Sequence, residues 1–345
     1  MELREDSQAL LHGNHLGSSL VGPPVQHVPD KGKLLVAILG PTSSGKSRLA
    51  FTAAQALNGE IVNCDSKQMY RLLEIGTAKP TLKQRGEIPH HLYDLLDPDQ
   101  YFSAGRYMVE ARKVCQEIRE GGKIPFVVGG TGLYLRALLE GVFEGPGRSQ
   151  EIRERLNRIG DGKGLDYLYR LLERRDPAAA ARIQPGDKVR ILRGLEIYLL
   201  TGRPISQLQQ QRDPLKHLFI LKIGLRLPRP ILYDRINGRV GEMFRSGLIE
   251  EVQQLLAKGY RPDCKGFQAL GYRHAVAVLE GGLSQEEAIE KTRIETRRYA
   301  KRQMTWFRRE KEVHWIEGPG EDAPPLESLL KLVEKHHGIR SRHRP

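Results

Sequence analysis

The fold is decided by the stretch Leu34-Leu35-Val36-Ala37-Ile38-Leu39-Gly40-Pro41-Thr42-Ser43-Ser44-Gly45-Lys46-Ser47. The apolar run 34–39 is typical of a buried parallel strand, and a helical pattern begins at Ser47. Residues 40–47 match GxxxxGK[ST], in which backbone N–H groups surround phosphate oxygens at a helix N-terminus, the lysine adds positive charge and the hydroxyl of Ser47 can bind magnesium. The stretch therefore predicts a loop that binds a di- or triphosphate, a P-loop. The alternative is a glycine-rich turn without a ligand.

The net charge of the chain indicates the class of its partner, and its cysteines indicate the cellular compartment. The chain has 345 residues, enough for one large core and a smaller unit, and its formal net charge of +13 favours a polyanionic partner. Three widely separated cysteines, Cys64, Cys115 and Cys264, suggest no metal site, suit a reducing compartment and predict a cytoplasmic protein. No stretch is apolar enough to span a membrane, so we expect no membrane partner.

Short apolar runs separated by helical patterns predict an α/β fold, with a P-loop parallel sheet flanked by helices. The predicted strands are 34–39, 60–64, 124–128 and 218–223, with a weaker one at 313–316. An Arg- and Leu-rich helical pattern between 141 and 204 predicts an inserted helical domain. The predicted domains are a disordered N-terminal tail at 1–32, a catalytic core at 33–140 and 205–318, the insertion at 141–204, and a C-terminal tail at 319–345.

The strand ends do not carry the usual nucleotide-hydrolase pattern. Such proteins normally have a second strand that ends in Asp and holds magnesium through water. Here run 124–128 is followed by Gly129-Gly130-Thr131-Gly132, whereas run 60–64 is followed directly by Asp65. Asp65 could address a reacting group beside the P-loop, or it could cap a following helix.

Eight motifs then occur in an order and spacing that resemble one family. They are GPTSSGKS at 40–47, DSKQMY at 65–70, GTAKP at 76–80, PHHLYD at 89–94, GGTGLY at 129–134, RINGRVGEM at 235–243, LGYR at 270–273 and TRRYAKRQMTWFRR at 296–309. Together they resemble the tRNA dimethylallyltransferase family of bacterial type, over about residues 33–316.

The resemblance implies an activity. Members transfer the dimethylallyl group of dimethylallyl diphosphate to N6 of adenosine 37, next to the anticodon, and release diphosphate. The P-loop would hold the diphosphate of an isoprenoid rather than ATP, which fits the absence of an acid after run 124–128. The expected partners are the anticodon stem-loop of tRNA and dimethylallyl diphosphate, the expected cofactor is Mg²⁺, and the expected state is a monomer.

The resemblance also assigns catalytic roles. It implies that Asp65 accepts a proton from adenine N6 and that Thr131 reaches the bridging oxygen of the diphosphate; the alternative for Thr131 is capping of the helix 131–139. Arg239 matches an arginine facing the diphosphate, with a solvated helix face as the alternative, and Arg235 is a weaker candidate. The diphosphate-binding residues are Gly40, Pro41, Thr42, Ser43, Ser44, Gly45, Lys46, Ser47 and Arg239, with Ser47 as the metal ligand.

The tRNA-binding residues come from the resemblance and from charge. Residues 291–309 carry eight basic side chains against one acid, with Tyr299, Trp306 and Phe307 between them, a density that suits phosphate contacts. We expect these aromatic side chains to dock the helix rather than to stack on bases. The predicted tRNA-binding set is Asp65, Ser66, Lys67, Gln68, Arg153, Val189, Arg190, Ile191, Leu192, Arg193, Gly271, Tyr272, Arg273, Arg297, Arg298 and Arg302.

Two other functions remain open from the residues alone. A nucleotide or small-molecule kinase would share the P-loop and magnesium, with the insertion as an Arg-rich lid. An RNA-binding switch controlled by a nucleoside triphosphate would need the magnesium-holding acid that the run 124–128 lacks. The two histidines His90 and His91 are expected to be structural.

Overall fold

Six parallel strands form one sheet, in the order β3-β2-β4-β1-β5-β6. The computed structural model describes residues 33–337 except 144, 211 and 217, so the predicted tail at 1–32 lies outside the described residues. The strands are β1 Leu34–Leu39, β2 Gly59–Asn63, β3 His90–His91, β4 Ile124–Val128, β5 Phe219–Arg226 and β6 Val313–Glu317. The five predicted strands are confirmed, and β3 was missed.

Alternation along β1 explains why the sheet is buried on both sides. All six residues of β1 are buried. Leu35, Ala37 and Leu39 belong to one hydrophobic cluster, and the intervening Leu34, Val36 and Ile38 belong to another. Successive strand residues point to opposite faces, so an uninterrupted apolar run means that helices cover both faces of the sheet.

The described residues form fourteen α-helices around and beside this sheet. They are α1 Lys46–Leu57, α2 Leu82–Glu87, α3 Ala104–Glu120, α4 Gly132–Glu140, α5 Gln150–Lys163, α6 Leu165–Arg175, α7 Pro177–Ala180, α8 Lys188–Thr201, α9 Ile205–Leu208, α10 Arg229–Arg245, α11 Leu248–Ala257, α12 Tyr272–Leu279, α13 Gln285–Phe307 and α14 Ala323–His337. None of the helices in the described ranges has the length and apolar character needed to cross a bilayer.

Helices α5–α9 have their own hydrophobic clusters. Leu156 of α5, Leu168 of α6 and Ile191 of α8 belong to one of them. A second cluster joins Ile205 and Leu208 of α9 to Ile197 of α8. The helical unit thus extends four residues beyond the predicted boundary at 204, because α9 packs on α8.

The segment assigned to a C-terminal tail contains a packed helix. Leu329 and Val333 of α14 are fully buried in the cluster that also holds Leu49 of α1 and Ile223 of β5. The expectation of a tail was therefore wrong for residues 323–337. Residues 338–345 lie outside the described part of the chain.

The ends of three strands are in register at one edge of the sheet. Ile38 of β1 pairs with Val128 of β4, and Val128 pairs with Asn63 of β2. The P-loop, the Asp65 segment and the Gly129–Gly130 turn therefore leave the sheet side by side. The carboxyl edge of a parallel sheet is where α/β proteins bind their ligands.

Candidate active site

The P-loop joins β1 to α1 and has three residues with positive φ, of which Gly40 has φ of 145°. Ser43 has φ of 62° and Gly45 has φ of 86°. The hydroxyl oxygens of Ser43 and Ser44 are buried and have no hydrogen-bond partner among the described residues. Buried polar atoms without a partner are uncommon, so the loop has the unpaired polar groups expected of a ligand site.

Lys46 is buried in the first turn of α1, with 8% of its surface exposed. Its Nζ donates a 2.6 Å hydrogen bond to the carbonyl oxygen of Pro41. Burial lowers the pKa of Lys46 to about 7, an effect that Asp65 opposes and Arg239 reinforces. An anion near the ammonium would favour the charged form, so protonation of Lys46 and anion binding are coupled.

Helix α10 brings two arginines to the P-loop. Nη1 of Arg239 lies 3.2 Å from Thr42 Oγ1, to which it donates. Arg235, one turn earlier, donates from Nε to the carbonyl oxygen of Ser43 at 2.8 Å and forms an ion pair with Glu321. Arg239 therefore faces the loop rather than solvent, and Arg235 holds the backbone of the loop.

Asp65 and Thr131 meet where β2 and β4 end. Gly129 permits this approach, because a Cβ atom there would clash with the Cys64 carbonyl and lie 2.7 Å from Asp65 N. Thr131 Oγ1 accepts a 3.1 Å hydrogen bond from Ser66 N and makes no capping bond to α4. The capping alternative for Thr131 was wrong, since its hydroxyl joins the two loops.

The carboxylate of Asp65 has one local role. Oδ1 accepts a 2.9 Å hydrogen bond from Lys67 N, which closes a short turn. No helix follows Asp65, because the described helix after it, α2, begins at Leu82. The alternative of a helix cap is therefore wrong, and Oδ2 takes no part in the turn.

Gln303 of α13 joins the P-loop to the Gly129–Gly130 turn. Its Oε1 accepts a 2.8 Å hydrogen bond from Thr42 N, and its Nε2 donates a 2.9 Å hydrogen bond to Gly130 O. One turn earlier, burial raises the pKa of Tyr299 above the ordinary value, an effect that its neighbours Thr131 and Gln303 oppose. Gln303 was not among the predicted site residues, and its only signal in the sequence was its place inside the motif at 296–309.

Some of these groups line a cavity of about 310 Å³. Thr42 and Arg239 line its P-loop side, and Asp65 lines it at the end of β2. Its apolar wall comes from Ile236, Val240 and Met243 of α10 together with Ala269 and Leu270, and further polar lining from Ser66, Lys67, Gln268, Arg273, Tyr299 and Arg302. The arrangement offers an anion site, an apolar surface and a carboxylate within one cavity.

A family model described as "IPP transferase" matches residues 68–310. This match covers more than half of the chain. The chain belongs to the IPP transferase family. The match includes β4, α10 and α13, which supply the Gly129–Gly130 turn, Arg239 and Gln303.

Known proteins similar to this chain support the assignment to the family. The chain is 50% identical over 302 residues to the tRNA dimethylallyltransferase of Koribacter versatilis, covering 87% of this chain and 98% of the relative. It is 47% identical over 305 residues to that of Geobacter sulfurreducens, covering 88% and 97%. The predicted family is therefore confirmed.

Solved structures have the same fold. The full-length tRNA isopentenylpyrophosphate transferase of Bacillus halodurans is similar with a TM-score of 0.65 and 39% identity, covering 88% of this chain and 96% of that one. A eukaryotic dimethylallyltransferase acting on tRNA gives a TM-score of 0.73 and 27% identity, covering 90% and 81%. The predicted α/β fold with a helix-flanked parallel sheet is confirmed.

Several residues of the predicted tRNA-binding set line the cavity. They are Asp65, Ser66, Lys67, Arg273 and Arg302. Gln68 instead donates from Nε2 to the carbonyl oxygens of Thr77 and Ala78. Tyr272 is fully buried, and its hydroxyl bonds to Gly76 N and to Glu251. A direct contact of the Tyr272 side chain with tRNA was therefore wrong, although Gly271, the residue before α12, directly follows Leu270 of the cavity lining.

The predicted tRNA-binding residues of the helical unit divide into buried and exposed groups. Ile191 is fully buried and Leu192 is 6% exposed, so neither can touch RNA in this structure, and their assignment was wrong. Val189 is 71% exposed, and Arg190 also lies at the surface. Helical periodicity places 191 and 192 inside and 189 and 190 outside.

Arg153 and Arg193 bind a buried carboxylate. Glu196 is fully buried and accepts from Arg153 Nε at 2.9 Å and from Arg193 Nη1 at 2.7 Å. Despite its burial, these bonds hold the pKa of Glu196 below its ordinary value, and the bond to Glu196 raises that of Arg153. Arg153 thus pins α5 to α8, whereas Arg193 pairs with Glu196 within α8 and donates to the carbonyl oxygen of Pro146 at 2.9 Å.

Helix α13 separates its docking residues from its basic surface. Phe307 is buried, and Trp306 packs on Gly132 and under the Arg136 guanidinium. The expectation that these two aromatics dock the helix is confirmed. On the other side, Arg298 and Arg302 are exposed, whereas Arg297 donates to Asn237 and pairs with Glu290.

Proposed function

We propose that this chain transfers the dimethylallyl group of dimethylallyl diphosphate to N6 of adenosine 37 in tRNA. The observation that carries the assignment of roles is the single cavity lined by Thr42 of the P-loop, Arg239 and Asp65. An isoprenyl diphosphate needs an anion site next to an apolar surface, and the acceptor needs a base.

The reaction is a displacement at the allylic carbon C1. The lone pair of adenine N6 is delocalised into the ring, so N6 is a weak nucleophile, and Asp65 makes it stronger by accepting one of its protons. As the N6–C1 bond forms, the C1–O bond breaks and its electron pair leaves with the diphosphate. Lys46, Arg239 and the P-loop amides neutralise the leaving group, and the Thr131 hydroxyl donates to the bridging oxygen.

Mg²⁺ is proposed as the cofactor, with Ser47 as its protein ligand. Ser47 is exposed at the second position of α1. Across the described residues, no group of three or more His, Cys, Asp or Glu side chains could hold a metal ion. One hydroxyl completed by diphosphate oxygens and water is a donor set that Mg²⁺ accepts. When bound there, the ion adds positive charge beside the leaving group.

The anticodon stem-loop is proposed to bind across the helical unit and the basic side of α13. Val189 and Arg190 are exposed at the start of α8, and Arg298 and Arg302 are exposed on α13. A base in a loop is already unpaired, so extruding adenosine 37 into the cavity requires little of the energy needed to open a duplex.

The proposed function is tested with purified protein, unmodified tRNA, magnesium and radiolabelled dimethylallyl diphosphate, with labelled ATP as the parallel donor. We expect label to move from the isoprenoid to RNA and to be lost when adenosine 37 is replaced by guanosine. Phosphate transfer or hydrolysis from ATP without prenylated RNA would instead support a kinase.

Diphosphate binding should weaken as the pH rises through 7. The lowered pKa of Lys46 means that the free protein loses this positive charge above about pH 7, and each further pH unit should reduce affinity by up to about tenfold. Below pH 7 this contribution should be constant. Calorimetric titration with inorganic diphosphate at several pH values measures this dependence in wild type and in Lys46→Arg. The variant is the comparison because its guanidinium stays charged over this pH range. An equal pH slope in both proteins would assign the effect to another group.

Arg298→Ala should weaken tRNA binding and reduce the slope of log K against log salt by about one unit. Arg298 is exposed on α13, so its charge is available to a phosphate. Arg297→Ala is the matched control, since that guanidinium already bonds Asn237 and Glu290. Filter binding at several salt concentrations gives both slopes. A larger change for Arg297 than for Arg298 would contradict the proposed surface.

A further inference from the structure

Residues 318–321, between β6 and α14, cross the outer side of the P-loop. Gly320 N donates a 2.9 Å hydrogen bond to the carbonyl oxygen of Ser44. The approach is so close that a Cβ atom on Gly45 would clash with Gly320 N and with the Glu321 carboxylate. We call residues 318–321 the brace. They lie beyond the range 68–310 that the family model matches.

The brace also reaches the P-loop through Arg235. Nη2 of Arg235 pairs with the Glu321 carboxylate, while its Nε donates to the carbonyl oxygen of Ser43 at 2.8 Å. Two successive carbonyl groups of the loop, those of Ser43 and Ser44, are thus held by donors from α10 and from the brace. The C=O and the following N–H of a trans peptide point in opposite directions, so the bond to Ser44 O directs the Gly45 N–H away from the brace.

Both ends of the brace are fixed to the core. At its start, Gly318 N donates to the carbonyl oxygen of Arg226 in β5 at 3.0 Å. At its other end, α14 is anchored by Leu329 and Val333, which are fully buried. The brace is therefore held by the sheet on one side and by a packed helix on the other, which suits a fixed support.

We infer that the brace and Arg235 position the P-loop for diphosphate, with Glu321 and Arg235 as positioning residues. Ser43 and Gly45 both have positive φ, a conformation that the surrounding structure must hold. The inference rests on the proposed function insofar as the P-loop ligand is the diphosphate of the isoprenoid. It assigns Glu321 a role that the family resemblance did not imply.

The test compares Glu321→Ala, Arg235→Ala and the double variant with wild type. Calorimetry measures the affinity for inorganic diphosphate in magnesium chloride, and filter binding measures the affinity for tRNA. We expect Glu321→Ala to weaken diphosphate binding about two- to fivefold, as for a partly exposed ion pair. Arg235→Ala should weaken it about tenfold, because it also removes a charged hydrogen bond. The double variant should match Arg235→Ala, since Glu321 acts through that arginine.

Glu317→Gln is the matched control. Glu317 lies at the end of β6, and its carboxylate pairs with Arg226 at 3.4 Å rather than with Arg235. It should leave diphosphate affinity unchanged, and tRNA affinity should be unchanged in all four variants. Unaltered diphosphate affinity in Arg235→Ala and Glu321→Ala, or an equal loss of tRNA affinity, would overturn the inference.

The binding measurement separates this inference from the proposed function. Diphosphate affinity is read without any turnover. Normal prenylation by wild type together with unaltered diphosphate affinity in the brace variants would overturn the inference alone. Weakened diphosphate binding in those variants without prenyl transfer by wild type would overturn the proposed function alone. Thermal unfolding of each variant verifies that the binding measurements are made on folded protein.

Discussion

Asp65→Asn is expected to lower kcat for prenyl transfer by about 10²–10⁴-fold, the range for loss of a general base. The amide is nearly the same size as the carboxylate and keeps an oxygen that can accept the bond from Lys67 N, so the turn after β2 should survive. What it loses is the ability to take a proton from N6. Single-turnover transfer of label to RNA measures the change.

The tRNA affinity of Asp65→Asn decides between a catalytic and a structural carboxylate. If Asp65 acts on the proton, the affinity measured by filter binding should equal that of wild type. Asp65→Ala serves as the comparison, because it also removes the acceptor for Lys67 N. Equal losses of tRNA affinity and turnover in Asp65→Asn would mean that the carboxylate mainly holds the loop.

The sheet and the position of the site were predictable because they depend on local patterns. The run 34–39 is apolar at every position, which is typical of a strand covered on both faces. The P-loop motif then fixed the ligand edge of the sheet. The edge strand β3 was not predicted because it has only two residues, His90 and His91, and no apolar run. Nε2 of His91 is hydrogen-bonded to the Glu60 carboxylate at 2.6 Å.

The assignments that failed are those in which a motif identifies a segment of the chain but not which of its side chains face the core and which face solvent. Residues 189–193 were assigned to tRNA as a block, yet a helix turns by 100° per residue, so Ile191 and Leu192 face the core while Arg190 faces solvent. Tyr272 was assigned in the same way and is buried against Gly76 and Glu251. Which face of a helix is buried depends on the element that packs against it, and the motif does not specify that element.

The C-terminal segment shows another limit of local reasoning. The residues before α14 are rich in glycine, proline and acids, which is typical of a tail. The helix is nevertheless held by Leu329 and Val333 in a cluster with Leu49, almost 300 positions away in the chain. The hydrophobic periodicity of a short stretch of sequence does not predict contacts between residues so far apart in the chain.

Gln303→Met is expected to reduce kcat/KM for dimethylallyl diphosphate by about thirtyfold or more. The side chain is about the same size, but Thr42 N and Gly130 O lose their partners. Each buried polar group left unpaired costs about 1–3 kcal/mol, and a factor of ten corresponds to about 1.4 kcal/mol. Steady-state kinetics with dimethylallyl diphosphate varied at saturating tRNA measures the effect. Thr305→Ala is the control, since its exposed hydroxyl bonds only Lys301 O of the same helix.

Gln303→Glu shows whether activity depends more on the hydrogen bond from Thr42 N or on the hydrogen bond to Gly130 O. The carboxylate can still accept from Thr42 N but cannot donate to Gly130 O, the residue before Thr131. If the contact with the P-loop is the important one, Gln303→Glu should keep more activity than Gln303→Met. If the placement of Thr131 matters more, both variants should lose kcat, and inorganic diphosphate should bind Gln303→Met nearly as well as wild type. Wild-type kinetics in both variants would reduce Gln303 to a packing residue, despite its contacts with both loops.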